Sequence, residues 1–304
     1  MATEDKINDL IHKPPNFVQE SLKQLRYHVL IDGLKSDASG DCHYRNYVWT
    51  ILLQVDLPPA EVYLELVSRG AGNSDAKIHN DTFRTLATDA AFKQKVSEQA
   101  LTRVLNAYTV AHEGRAYVQG MNVIAAPFLY VSRSESQAFV LFNHFVSIRC
   151  PLYVTPTLTG VHTGLDLIDL VLEITDNALY QHLKSKLLTA NLYAFASVMT
   201  FSASTPPLAE VLKLWDIMMA YGCHLNILMV VAQLLMMRPA LLGTDKPMAL
   251  LRSFPALNAN QIKSLTLAIL QKLPERVYDL VVRHPWDPSV AKELSEYRRK
   301  RRDL

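Results

Sequence analysis

Cysteine is scarce, with three residues in a chain of 304, and they are far apart at Cys42, Cys150 and Cys223. No two of them form a C-x-x-C pair, and the ten histidines form neither an H-x-x-x-H pattern nor a cluster with cysteine. Isolated thiols of this kind favour a reducing compartment and argue against a disulfide framework or structural zinc. We therefore predict no metal site.

Signals for β-strands are also missing. Two-residue turns such as Asn-Gly or Asp-Gly do not occur between alternating apolar runs, and the lone Asp32-Gly33 ends a helix-type pattern instead. Methionine and leucine outnumber the β-branched and aromatic mixture that a sheet favours. The sequence therefore offers little evidence for a sheet.

An excess of charge of one sign is absent as well. Lys and Arg total 31 against 29 for Asp and Glu, a net charge of +2, so no broad basic surface for nucleic acid is expected. One local exception is the basic run R-R-K-R-R at residues 298–302. Such a cluster is typical of a solvated tail, with nuclear import or an acidic partner as the alternatives.

No apolar run is long enough for a membrane span. Leu225–Met237 is interrupted by Asn226 and Gln233 and is closed by Arg238, which is typical of a buried helix. The N-terminus is polar and shows no signal peptide, and no lipidation motif stands at either end. We expect a cytoplasmic chain without direct membrane insertion.

Helical periodicity is what the sequence has in abundance. A capping-box pattern from Asn16 to Gln19 precedes an apolar face that stops at Gly33. Similar one-face patterns recur along the chain, for example at Leu208, Val211, Leu212, Trp215 and Met219. The prediction is an all-α fold, a compact multi-helix domain in two helical lobes.

One candidate site residue is Arg84, in the segment I-H-N-D-T-F-R at residues 78–84. Asn80 or Asp81 is a plausible N-cap, which would put Arg84 in the first helical turn. The helix dipole disfavours a cation there, and a locally unfavourable residue can have another task. The simpler interpretation is an exposed arginine that pairs with Asp81 three residues earlier.

A second candidate is Gln119, in the segment Y-V-Q-G-M-N at residues 117–122. By itself it could be an ordinary helix-start glutamine, with Gly120 present for close packing. Together, an arginine and a carboxamide are what GTP hydrolysis needs: a cation for developing phosphate charge and a group that orients the attacking water. Because the chain has no G-x-x-x-x-G-K-[ST] phosphate loop, the nucleotide would belong to a partner.

Four sequence blocks in order resemble the TBC-domain family of GTPase-activating proteins for Rab-type small GTPases. Residues 45–49 are similar to R-x-x-V-W, residues 78–84 to I-x-x-D-x-x-R and residues 117–125 to Y-x-Q-G-M-N-x-I-A. Residues 207–222 fit P-L-x-x-x-L-x-L-W-D…G. The resemblance implies a TBC domain over residues 22–285, after a lead-in at 1–21 and before a basic tail at 286–304.

The resemblance also assigns roles to the candidate residues. It implies that Arg84 is the arginine finger and Gln119 the glutamine finger, with Tyr117 in the motif of the latter. Asp81 is expected to orient Arg84 or to cap the helix. The chain would need no cofactor of its own, since GTP and Mg²⁺ belong to the small GTPase.

A structural role is expected for four residues outside these two segments. Trp49 and Trp215 stand at helical spacing among apolar residues, which is typical of a core. A buried Asp216 would need a cation, because an unpaired buried charge is costly. We hypothesise that Arg45 supplies it.

The chain departs from the family pattern at Ala196 and Ser197, where many members carry a tryptophan, which indicates a divergent branch. It resembles the fungal checkpoint branch, whose TBC subunit works with a separate scaffold. The resemblance implies restraint of a Ras-like GTPase in mitotic exit or septation, at the spindle pole body. Two alternatives remain open: a non-catalytic module that binds a GTPase or scaffold, and a helical interaction scaffold unrelated to GTPases.

Overall fold

The computed structural model describes residues 6–7, 9–10, 18–37 and 41–302. Within those residues there are 19 α-helices and no strands, which confirms the predicted all-α class. The capping-box pattern at residues 16–19 begins outside the described part of the chain. Among the described residues, no helix combines the length and the apolar character needed to cross a membrane.

The helices fall into two compact units. The first comprises Met1–Ser147 with Pro206–Gly222, and the second comprises Ile148–Thr205 with Cys223–Leu304. The helices of the first unit are, in chain order, α1 (Val18–Ile31), α2 (Arg45–Leu53), α3 (Ala60–Ser68), α4 (Asp75–Thr82), α5 (Ala90–Lys95), α6 (Glu98–Ala111), α7 (Met121–Val131), α8 (Glu135–His144) and, after the segment that belongs to the second unit, α13 (Leu208–Tyr221).

The second unit begins within a π-helical turn at Phe145–Arg149, which a 3-10 turn at Pro151–Tyr153 follows. Its helices are, in chain order, α9 (Thr159–Thr175), α10 (Asn177–Ser185), α11 (Ala190–Tyr193), α12 (Phe195–Met199), α14 (Leu225–Met236), α15 (Arg238–Leu242), α16 (Pro247–Leu251), α17 (Ala259–Leu270), α18 (Glu275–Arg283) and α19 (Val290–Arg302).

Local sequence explains where several helices begin and end. Ser97 and Asp89 are N-caps whose side chains accept the N–H groups of Ala100 at 3.1 Å and Phe92 at 2.8 Å. Helix α1 ends before Gly33, whose φ of 72° lies in the left-handed region that glycine adopts without steric cost. The predicted stop at Gly33 is therefore confirmed.

The core of the first unit is an aromatic cluster. The Trp215 ring centroid lies 5.9 Å from that of Trp49, 5.3 Å from Phe128 and 5.6 Å from Phe145. All four side chains are almost completely buried. These separations are typical of favourable aromatic pairs, so the predicted core role of both tryptophans is confirmed.

The core of the second unit is built around α14, which is buried from Leu225 to Leu234, as its apolar sequence predicted. Helix α9 packs against it, and small residues on α9 allow close contact. A Cβ atom at Gly164 would lie 2.9 Å from the Ile227 side chain, and one at Gly160 would lie 2.7 Å from Tyr153. At both glycines an added Cβ would therefore force neighbouring side chains to shift.

The C-terminal basic run is solvated at Arg299, Lys300 and Arg301, as predicted, but it belongs to a helix that covers Val290–Arg302. These residues form α19, whose Val290 and Leu294 are buried and which packs against α9 and α18. Arg298 donates to the backbone oxygen of Asp166. The sequence prediction followed the charges and overlooked two apolar residues, Val290 and Leu294, which share one face at i, i+4 spacing.

An acidic residue on α9, Asp169, is buried in the second unit. Its Oδ1 accepts the N–H of Ala190 at 3.0 Å. Burial raises the pKa of the Asp169 carboxyl to about 6, although the Ala190 N–H and Arg298 act in the opposite direction. At neutral pH the folded protein therefore carries a carboxylate that would be more stable in water.

We expect Asp169→Asn to stabilise the protein at pH 7.5. The folded pKa exceeds the unfolded value of 3.8, so the folded state binds more protons and the parent loses stability as pH rises from about 4 to about 6. Asparagine keeps the oxygen that accepts the Ala190 N–H but cannot ionise. The free energy of unfolding at pH 7.5 should rise by about 1–3 kcal/mol, with a smaller gain at pH 4.

Denaturant unfolding of parent and variant at both pH values measures this difference. The control is Asp166→Asn, because Asp166 lies on the same helix with a side chain that is half exposed, and its replacement should change stability by less than about 1 kcal/mol. A variant that is less stable than the parent at pH 7.5 would show that interactions in the folded protein offset the cost of burying the Asp169 carboxylate.

Candidate functional site

Arg84 lies just beyond the C-terminal end of α4, and its side chain is 55% exposed. The predicted position in the first turn of a helix is therefore wrong, as is the N-cap role for Asn80 or Asp81, because α4 begins at Asp75. At a helix C-terminus the dipole favours a cation. The local position of Arg84 is thus favourable, and the argument from an unfavourable dipole fails.

Gln119 lies in an exposed turn directly before α7. The residue that follows, Gly120, is the N-cap of α7 and has a φ of 101°. Residues other than glycine rarely adopt this backbone conformation, so Gly120 is needed for the shape of the turn. The Gln119 carboxamide is therefore carried by a tight turn at the start of a buried helix.

Asp81 joins the two segments. Its Oδ1 accepts a hydrogen bond from the Arg84 guanidinium, and its Oδ2 lies 2.8 Å from the Tyr117 hydroxyl. The carboxylate is nearly buried in the last turn of α4, where the helix dipole disfavours an anion. Two donors, one to each carboxylate oxygen, compensate for that position, and the pairing with Arg84 fits the prediction that Asp81 orients this arginine.

Asn122, the second residue of α7, makes the other connection. Its Nδ2 donates to Thr85 Oγ1 at 2.8 Å, and its Oδ1 accepts the Gly120 N–H at 3.1 Å. Thr85 in turn donates to the backbone oxygen of Asp81 at 2.9 Å. One buried network, which we call the Asp81 network (Asp81, Thr85, Tyr117 and Asn122), therefore holds both exposed segments.

The hydroxyl of Tyr117 also lies 3.0 Å from Asn122 Oδ1, but it has a single proton to donate. The charged Asp81 oxygen is the stronger acceptor and is also the closer one. Burial raises the pKa of Tyr117 well above its usual range, and the hydrogen bond to Asp81 raises it further. Tyr117 is therefore a neutral donor at physiological pH.

A cleft of about 600 Å³ opens at the opposite end of α4. Its walls include Ser74, which precedes the helix, and Arg115, which precedes Tyr117 by two residues. Ser74 Oγ accepts the Tyr117 N–H at 3.1 Å. This bond makes a second connection between the start of α4 and the segment that carries Gln119.

The remaining predicted residues form a separate buried cluster. Arg45 donates from Nε to Asp216 Oδ1 at 3.0 Å and from a terminal nitrogen to Oδ2 at 3.2 Å. Trp49 Nε1 donates to Oδ1 at 2.7 Å. The hypothesised pairing of Arg45 with Asp216 is therefore present. It is connected through Trp49 to the aromatic core, because the Trp49 ring also contacts that of Trp215.

The electrostatics of this cluster follow from its burial. Burial raises the pKa of Asp216, with Arg45 and the Trp49 N–H opposing the change. Burial would lower the pKa of Arg45, but the Asp216 carboxylate and its hydrogen bonds outweigh that effect and the pKa is raised. The guanidinium remains charged, and these residues support the core rather than a reaction.

Two features of the site were not recognised in the sequence. Asn122 was part of a quoted motif but received no role, because its contacts depend on residues 37 and 41 positions earlier. Phe83, adjacent to Arg84, is 63% exposed. An aromatic residue in a segment that is otherwise mostly polar could have drawn attention in the sequence. Its exposure in the structure is what makes it a candidate for a contact with another protein.

The helical fold and this arrangement of motif residues define a class of GTPase-regulating domain. Residues 42–242 match the Rab-GTPase-TBC domain, and the chain belongs to that family. Among solved structures, the Ypt/Rab-GAP domain of Gyp1p has a TM-score of 0.72 at 15% identity, covering 89% of this chain and 98% of that one. The flagellar RabGAP TBC domain of Chlamydomonas has a TM-score of 0.61 at 20% identity, covering 94% and 95%. At these identities the likeness concerns the fold.

Relatives with much higher identity cover nearly the whole chain. Cell division control protein 16 of Schizosaccharomyces pombe is 45% identical over 282 residues, which is 93% of this chain and 94% of that protein. The mitotic check point protein BUB2 of Saccharomyces cerevisiae is 41% identical over 300 residues, which is 93% of this chain and 98% of that protein. The predicted resemblance to the TBC family and to its fungal checkpoint branch is confirmed.

Proposed function

We propose that this chain is a GTPase-activating protein for a Ras- or Rab-like small GTPase, with Arg84 as the arginine finger and Gln119 as the glutamine finger. The observation that carries the proposal is that one hydrogen-bond network holds the segments of both residues. Both side chains are exposed, and both segments are held by the Asp81 network. Membership of the Rab-GTPase-TBC family supports the same function.

The chemistry assigned to the two residues follows from their side chains. A permanently charged, planar guanidinium can donate to several phosphate oxygens, where negative charge develops as GTP is cleaved. A neutral carboxamide can accept a hydrogen bond from the attacking water while donating to a phosphate oxygen. GTP and Mg²⁺ belong to the partner GTPase, and the chain itself forms no covalent intermediate.

The pairing of Arg84 with Asp81 has a consequence for the mechanism. In the free protein its exposed guanidinium is paired with the nearly buried carboxylate of Asp81. Because the arginine end of the pair faces solvent, the guanidinium can turn toward a phosphate while the carboxylate keeps a second donor. Tyr117 continues to donate to Asp81 and keeps the carboxylate satisfied in the meantime.

The biological setting is proposed from the relatives. A cell division control protein and a mitotic check point protein align over nearly their full lengths. These names support a role in cell division, and we propose, as the sequence resemblance implies, that the chain acts in mitotic exit or septation, in the cytoplasm and at the spindle pole body. A separate scaffold subunit is part of this proposal, and it would recruit the chain to its GTPase.

The proposal is tested by hydrolysis of GTP on purified Ras- and Rab-type GTPases of budding yeast, with the chain alone and with the proteins that co-purify with it. Acceleration of at least one GTPase is expected. Gln119→Ala should then lower the maximal rate by about 10² to 10³-fold, because a group that positions the attacking water is lost. Rapid-mixing measurements of phosphate release give this rate.

The matched control is Gln99→Ala, since Gln99 is another exposed glutamine near the start of a helix in the same unit. It should leave the rate unchanged. If the parent chain binds a GTPase in its GTP state but accelerates none of the panel, with or without the co-purifying proteins, the non-catalytic binding module is the correct function. Binding of no GTPase at all would instead favour the unrelated helical scaffold.

A further inference from the structure

Phe83 is exceptional among the phenylalanines of this protein. Of the nine that the structure describes, it alone is exposed, with 63% of its surface open to solvent. It makes no aromatic ring contact within the described part of the chain. Single exposed apolar residues are common on protein surfaces, so its position relative to the site has to decide whether it has a role.

The ring of Phe83 is not part of the buried core of the first unit. Helix α4 directs Ile78, Asp81 and Thr82 inward, and Thr85 is buried as well. Phe83 and Arg84 lie between the two buried threonines, and both point outward. The same turn that exposes the guanidinium therefore exposes the neighbouring ring.

The second candidate residue also follows an apolar residue. Val118 precedes Gln119 as Phe83 precedes Arg84, and it is half-buried. Each polar residue that is proposed to reach the nucleotide thus follows an apolar one. Consecutive Cα atoms are about 3.8 Å apart and both side chains are exposed, so Phe83 lies within reach of a protein that docks closely enough to receive Arg84.

We propose that Phe83 is an apolar anchor for the small GTPase, packing against an apolar side chain on the GTPase surface beside the nucleotide. This inference rests on the proposed function and adds a residue that determines affinity for the partner. A ring with two rotatable side-chain bonds loses little entropy when it is fixed, and aromatic residues are enriched among those that dominate interface energies. Phe83 acts on binding, and Arg84 acts on the reaction.

The two roles predict different kinetic effects. Phe83→Ala should raise the KM for the GTP-loaded GTPase by roughly 10- to 100-fold, the loss expected when an aromatic side chain is no longer buried at an interface. The maximal rate should change by less than about threefold, because the interaction is the same in the ground and transition states. Phe83→Leu retains an apolar side chain and should recover most of the affinity.

The experiment uses a GTPase that the parent chain accelerates, with the same steady-state assay and a thermal melt of each variant. The control is Tyr27→Ala, since Tyr27 is a similarly exposed aromatic residue, 56% exposed, on α1, which packs against α2 and α13. It should leave KM unchanged.

The outcomes separate this inference from the proposed function. A parent chain that accelerates no GTPase defeats the proposed function itself. An active parent with an unchanged KM in Phe83→Ala overturns the anchor alone. A KM that rises equally in Phe83→Ala and Phe83→Leu, with melting temperatures at the parent value, also overturns it, because an apolar contact would be largely restored by leucine.

Discussion

Replacing Arg84 with alanine is expected to lower the maximal rate of activated GTP hydrolysis by about 10³ to 10⁵-fold, the usual effect of removing an arginine finger. The KM for the GTPase should change far less, because the charge that the guanidinium stabilises develops in the transition state. The variant is expected to fold with a modest loss of stability, because the Arg84 side chain is 55% exposed and Tyr117 still donates to the nearly buried Asp81 carboxylate.

Arg84→Lys should be almost as inactive, although it keeps the positive charge. Lysine lacks the planar fork that can donate to two phosphate oxygens while remaining near Asp81. The matched control is Arg69→Ala, because Arg69 has a similar exposure of 52% and pairs with Glu65 one helical turn away. Full activity of Arg84→Ala beside a fully active Arg69→Ala would exclude the finger role.

The second large effect is on stability. Arg45→Ala should reduce the free energy of unfolding by about 3–5 kcal/mol, because it leaves the Asp216 carboxylate buried without its cation. Both side chains are essentially inaccessible, and the pair makes two hydrogen bonds. For a unit of this size the loss corresponds to a fall in Tm of about 10 °C, measurable by calorimetry.

Two comparisons isolate the buried charge as the cause. Arg69→Ala removes an exposed ion pair and should cost less than about 1 kcal/mol. The double variant Arg45→Met with Asp216→Leu should lose less stability than the sum of the two single variants, since neither charge is left alone. If Arg45→Ala melts at the parent temperature, the pair has no net stabilising role.

The site shows how far the sequence could lead. Arg84 and Gln119 are recognisable from their motifs, but the sequence predicts a helix that begins after Asn80 or Asp81 and contains Arg84, whereas the helix begins at Asp75 and ends before Arg84. Asp81, like Asn80, is a plausible N-cap by propensity. In the structure it lies in the last turn of α4, and its partner Tyr117 is 36 residues away. Capping propensity depends only on residues close in sequence, so it could not predict a contact between Asp81 and Tyr117.

The C-terminal segment illustrates the same limit. The run of basic residues at 298–302 predicted a tail, yet α19 is anchored by Val290 and Leu294 at its N-terminal half. Their burial depends on apolar surfaces offered by α9 and α18. A pattern of two residues is too short to predict such an anchor, so only the assembled unit reveals it.

By itself, the sequence determined that the protein is helical, that Trp49 and Trp215 are core residues and that Asp216 requires a cation. These conclusions depend on local periodicity and on the cost of burying charge, which act wherever the segment lies. Only the tertiary structure decided that Asp81, Thr85, Tyr117 and Asn122 form one network and that Phe83 and Arg84 share an exposed turn. Those relations arise when distant segments pack together, because a buried polar group must find its hydrogen-bond partner wherever the fold provides one.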